Sequence, residues 1–159
     1  MILCHCQVLK LVFQNKKIKL DYFSLGLLLA LVKPENKFKK KIISNLSAET
    51  TPIEMYLKRG VPDIYGYYNN GSSFWLEFKC TPMKKVNISP LQISWNYKHF
   101  IQCPNNFYIV ESLEARSFKL YEGNKGSEIL KHGFHAPCIL HLEFNKKDFK
   151  TLDQFLKFL

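Results

Sequence analysis

Residues 63–79 constrain the fold more than any other stretch. Two short apolar runs, DIYGYY (63–68) and SFWLEFK (73–79), are joined by Asn69-Asn70-Gly71-Ser72. Asn-Gly readily supplies the positive φ angles of a tight hairpin turn, so the runs read as paired antiparallel strands. Asp63 opens the first run and Glu77 stands near the end of the second, placed about the turn centre with matching register to within one residue. A hairpin therefore brings both carboxylates to one edge of the sheet. Alternation sends Glu77 and Lys79 to one face, with Phe78 and Trp75 at other positions of the pleat.

The flanking sequence supplies further elements. In residues 35–46, Phe38, Ile42 and Leu46 recur every four positions opposite lysines, which predicts an amphipathic helix. An extended piece is expected at 53–57, before the Gly60-Val61-Pro62 loop. Ser89 as N-cap and Pro90 at the first helical position open a helix that places Gln92 in its first turn. Residues 106–112, 117–123 and 138–144 read as strands, and 127–132 and 147–158 as helical. Residues 1–34 read as an N-terminal extension and 35–159 as one domain. The apolar run at 22–32 is far short of the ~20 residues of a membrane span.

Charge narrows the partners. Lys and Arg number 23 against 13 Asp and Glu, a formal +10 at pH 7, which draws a chain toward polyanions and makes a nucleic acid the first partner to expect, although a chain rich in Lys, Asn, Ile and Phe alike owes some of that charge to composition. The five cysteines are scattered without a C-x-x-C pair, which argues for a reducing, cytoplasmic setting rather than a disulfide framework. No membrane association is expected, and a homodimer is compatible with the chain.

Two adjacent carboxylates repel unless a positive charge lies between them. A hard divalent cation is the usual solution where phosphates are handled, so Mg²⁺ is the implied ion, with Mn²⁺ able to substitute. Lys79, on the same face as Glu77, could orient or activate a water or stabilise charge growing on a phosphate oxygen. That combination suits phosphodiester hydrolysis.

These residues carry a resemblance. Pro62-Asp63 and Glu77-Phe78-Lys79 resemble the two signatures of the PD-(D/E)XK nuclease superfamily. RGVPDI (59–64), FWLEFK (74–79) and SPLQISW (89–95), in that order, are similar to the VRR-NUC type and related small phage-type, Holliday-junction-resolvase-like endonucleases. The resemblance implies a restriction-endonuclease-like α/β core, a central mixed β-sheet flanked by helices in the order α-β-β-β-α-β, over residues 35–112. Carried over by position, it implies Asp63 and Glu77 as metal ligands, the Phe78 carbonyl as a third, Lys79 as the catalytic lysine and Gln92 as the polar residue of the following helix. It also implies a further upstream acid, for which Glu54 is favoured by sequence proximity and Glu35 competes. Pro52 stands where such chains commonly carry Arg, and CPNN (103–106) replaces a usual glycine.

The expected activity is that of a metal-dependent deoxyribonuclease, and the family's resolvase-like members point to branched, flapped or junction DNA. Lys84, Lys85, Lys40 and Arg59 are the expected DNA contacts. The alternative is a non-catalytic nucleic-acid-binding module on the same fold, which the intact carboxylate pair disfavours. His132, His135, Cys138 and His141 are all zinc-ligand types, but consecutive threes do not match the paired spacing of zinc modules and Pro137 interrupts their alignment.

Overall fold

The runs at 63–79 do pair as a hairpin, with Tyr67 opposite Ser73 and Ile64 opposite Leu76. The turn differs from the expected one in that only Gly71, at φ 91°, has positive φ, whereas Asn70 acts through its side chain. Asn70 Oδ1 accepts from Ser72 N at 3.1 Å, and Asn70 Nδ2 and Ser72 Oγ each donate to the Lys157 carbonyl at 2.8 Å.

The computed structural model describes residues 34–53, 60–82 and 84–159. The readings for residues 1–33, Glu54 and Arg59 lie outside the described residues. Pro34–Leu159 form one compact unit. Its elements are α1 (Pro34–Ile43), β1 (Glu49–Pro52), β2 (Ile64–Tyr67), β3 (Ser73–Thr81), α2 (Pro90–Gln102), β4 (Asn106–Ser112), β5 (Ser117–Glu122), α3 (Gly126–His132), β6 (Leu140–Glu143) and α4 (Lys146–Lys157).

The six strands form one mixed sheet in sequence order. All neighbours are antiparallel except β3 and β4, which run parallel through the α2 crossover. Alternation then divides the core in two. Phe74, Leu76 and Phe78 of β3, with Phe107 and Ile109 of β4, pack against Phe38 and Ile42 of α1 and Phe149, Leu152 and Leu156 of α4. Tyr108, Val110 and Tyr121 face the other way, toward Ile129 of α3, Phe134 and the Val86–Ile88 loop. Glu77 and Lys79 belong to this second face by parity.

Several boundaries shift for local reasons. The first helix stops at Ile43, and Leu46 reaches the core from a short turn in which Leu46 N bonds the Ile43 carbonyl. The first described strand is Glu49–Pro52, whose polar ETTP carries no apolar alternation because it is a largely exposed edge, and residues 54–57 of the expected extended piece lie outside the described residues. Among 53–57, Ile53 is described and lies outside the strand. β6 is shorter than the expected 138–144, and α4 begins one residue early because Asn145 caps it, accepting from Asp148 N at 2.9 Å. Trp75 is a correction: it shares the face of Glu77, and its ring meets Trp95 of α2 at 5.5 Å.

Candidate active site at the open end of the hairpin

One step beyond the last ladder pair, Ile64 with Leu76, the register sets Asp63 opposite Glu77. Asp63 replaces the next ladder bond with its side chain, as Oδ2 accepts from Phe78 N at 2.8 Å. An extended residue sends its N–H and C=O to the same side, so the Phe78 carbonyl also leaves β3 toward the Asp63 edge. Trp75 has the opposite parity and donates to the Asn105 carbonyl on the β4 side at 2.9 Å.

The loop carrying Asp63 is fixed from three directions. Its carbonyl accepts from Ile53 N at 2.9 Å and Lys39 Nζ at 3.2 Å, and Lys39 Nζ stands 3.9 Å from Oδ1. Gly60, at φ 97°, passes so close to the first turn of α2 that a Cβ there would lie 2.5 Å from the Leu91 carbonyl oxygen. Only glycine combines that approach with that backbone.

Glu77 is buried, with 1% of its surface exposed. Lys79 Nζ lies 2.7 Å from its Oε1, and Gln92 Nε2 donates to the same oxygen. Burial pushes the Glu77 carboxyl up to about 7, the Lys79 charge opposes this, and the charges of Asp63 and Glu35 add to it. Burial pulls the Lys79 ammonium down, but Glu77, then Glu35 and Asp63, hold it above its ordinary value. Lys79 is therefore a charged donor at neutral pH.

Gln92 is doubly committed. Its backbone N donates to Ser89 Oγ at 3.2 Å while its Oε1 accepts from Ser89 N at 3.0 Å, a capping box that orients the amide. The expected N-cap at Ser89 and proline at the first helical position are both present. Tyr108 Oη and Asn96 Nδ2 donate to the Gln92 carbonyl, which ties the first turn of α2 to β4.

The structure thus brings Asp63, Glu77, Phe78, Lys79 and Gln92 together. Glu35, half-buried in the first turn of α1, acts on the charges of both Glu77 and Lys79. Lys40, Lys84 and Lys85 are exposed. Sequence reasoning missed the approach of Lys39 to Asp63, because helix periodicity marks the lysines of residues 35–46 only as the side opposite Phe38 and Ile42. It also missed the pairing of Trp75 with Trp95, which strand parity could have indicated.

Among the described residues no three His, Cys, Asp or Glu side chains gather closely enough to hold a metal ion. His132, His135, Cys138 and His141 are therefore not assembled as a zinc site; His132 ends α3, while His141 on β6 pairs with Ser117 Oγ at 3.1 Å. At the hairpin the donor set is two carboxylates and one backbone carbonyl. Magnesium keeps several waters and takes one or two protein carboxylates, so these donors fit it.

Comparison of the chain with protein-family models, curated proteins and solved structures gives no match.

Proposed function

We propose that this chain is a divalent-cation-dependent nuclease of PD-(D/E)XK type that hydrolyses DNA phosphodiester bonds. The observation that carries this reading is the convergence of Asp63 and Glu77 with Lys79 and Gln92 both on Glu77 Oε1. The order α1-β1-β2-β3-α2-β4 supports it, since it is the order the resemblance implies for a restriction-endonuclease-like core.

Asp63, Glu77 and the Phe78 carbonyl would hold Mg²⁺. When bound, the ion supplies charge neutralisation at a phosphate and a lowered pKa for water. Lys79, kept charged by its carboxylate neighbours, donates to the attacking water or to a non-bridging phosphate oxygen. Gln92 holds the Glu77 carboxylate in one orientation through its capping box. In the overall reaction a P–O bond forms to the water oxygen and the bond to one bridging sugar oxygen breaks, that oxygen leaving with a proton.

Labelled linear, flapped and four-way-junction DNA, incubated with the protein in Mg²⁺ or EDTA, tests the reading. Cutting in Mg²⁺ alone is expected, with loss in Asp63→Ala, Glu77→Ala and Lys79→Ala variants that remain folded and bind DNA. Undiminished cutting by these variants overturns the assignment.

One observation favours a second reading. Glu77 Oε1 already accepts from Lys79 and Gln92, so protein donors meet part of the charge that a cation would otherwise meet. On that reading the chain binds nucleic acid without cutting it, and binding with no cleavage in Mg²⁺ or Mn²⁺ is the expected result.

A further inference from the structure

Five aromatic rings run side by side past the site. Tyr67 and Tyr65 of β2 lie 6.4 Å apart, Tyr65 meets Trp75 of β3 at 4.9 Å, Trp75 meets Trp95 of α2 at 5.5 Å, and His99 stacks on Trp95 at 3.5 Å. Trp75 precedes Glu77 by one same-face step, roughly 7 Å along the strand. Trp95 follows Gln92 by about one helical turn. The middle of the stripe thus stands beside the site, and its two ends, Tyr67 and His99, lie farther from it. None of its members is fully buried: Tyr65, Trp75 and Trp95 are half-buried, His99 is exposed and Tyr67 keeps 45% of its surface.

We propose that this stripe is a stacking platform for the unpaired bases of a single DNA strand, an inference that rests on the nuclease reading of the adjacent site. Its chemistry selects the occupant. Flat aromatic faces match nucleobases of any sequence, as in proteins that bind single strands. The bases of an intact duplex are already stacked on one another and present only their edges. The phosphates of the same strand suit a chain of +10 net charge, and Lys98 stands exposed beside His99 on α2. A strand held by its bases along the stripe carries its backbone toward Glu77 and Asp63. The substrate class that follows is DNA with a single-stranded arm or gap.

The only two tryptophans of the chain, Trp75 and Trp95, both lie in the stripe, so their fluorescence reports on it directly. The experiment titrates the full-length protein in EDTA with a short oligothymidylate and with a duplex of equal length. Saturable quenching is expected with the single strand and at least about tenfold weaker binding with the duplex. Tyr67→Ala and Trp95→Leu, each checked by thermal melting, should weaken single-strand binding about tenfold. Tyr67 is exposed enough for its variant to fold if the other does not.

Equal quenching by duplex, binding without quenching, or unchanged affinity in the folded variants overturns the proposal. Because the titration needs no metal, it separates from the catalytic reading. Single-strand quenching without cleavage in Mg²⁺ keeps the platform and removes the nuclease. Duplex cleavage without quenching does the reverse.

Discussion

Lys79 Nζ lies 2.7 Å from Glu77 Oε1, two residues apart on one face of β3, and yet Glu77 remains far above an ordinary carboxylate. Burial outweighs the ammonium. From pH 4.5 to about 7 the folded chain holds a proton on Glu77 that the unfolded chain has released, so stability falls as pH rises through that window. In EDTA the fall should total about 3 kcal/mol. Urea unfolding at a series of pH values should show the slope in wild type and a flatter profile in Glu77→Gln; parallel profiles would remove Glu77 as its source.

On the proposed reading, a cation held by Asp63 and Glu77 would offset that penalty. At pH 7.5, Mg²⁺ at a hundredfold excess over its Kd should raise Tm by roughly 5–10 °C. Asp63→Asn should abolish the shift without altering the melting point in EDTA by a comparable amount. The same shift in the variant would place the ion elsewhere.

Gly60 is the position where a methyl group reaches the site indirectly. Gly60→Ala combines a left-handed φ of 97° with a 2.5 Å approach to the Leu91 carbonyl oxygen, which must move the loop or α2. A loss of about 1–3 kcal/mol is expected in urea, with reduced cleavage as Asp63 shifts from Glu77. A variant as stable and active as wild type would show that the loop does not depend on this contact.

Asp153 joins α4 to two distant segments. Its carboxylate accepts from Ser47 N at 2.7 Å, Ser47 Oγ at 2.8 Å and the Tyr68 hydroxyl at 2.8 Å. Burial first, and Asp153 second, push the Tyr68 phenol well above its ordinary value. Asp153→Ala should cost about 1.5–3 kcal/mol in urea unfolding, more than Glu114→Ala, which removes an exposed carboxylate in the turn between β4 and β5. An equal effect from Asp148→Ala is not the control to use, because Asp148 itself accepts from Glu143 N.

Lys84 and Lys85 give a test that is independent of catalysis. If both reach DNA phosphates, the double alanine variant should lower the slope of log affinity against log salt by about 2 and weaken different duplex sequences alike. An unchanged slope would assign them to solvent.

The parts of the fold legible in the sequence were those written in local chemistry. Gly71 marked the turn, Ser89 and Pro90 marked the start of α2, and the turn position alone set Asp63 opposite Glu77. β1 was not legible, because ETTP is an exposed edge whose pairing with β2 comes from backbone bonds rather than from side chains to bury. The approach of Lys39 to Asp63 joins α1 to the hairpin loop, a packing that helix periodicity does not encode. Trp75 was assigned to the wrong side of the pleat although its parity with Glu77 was on view; the partner that makes the position meaningful, Trp95, lies on another element.

The bonds from Asn70 and Ser72 to the Lys157 carbonyl hold the hairpin tip to α4, while Lys39 and Gly60 fix its open end. The hairpin is in this sense a beam clamped at both ends. A beam so held cannot slide by one residue without breaking both clamps, and one residue of slip would turn Glu77 and Lys79 into the aromatic core beneath them. The distant C-terminal helix thereby acts as a ratchet on strand alignment, and loosening it should scramble the site before it unfolds the sheet.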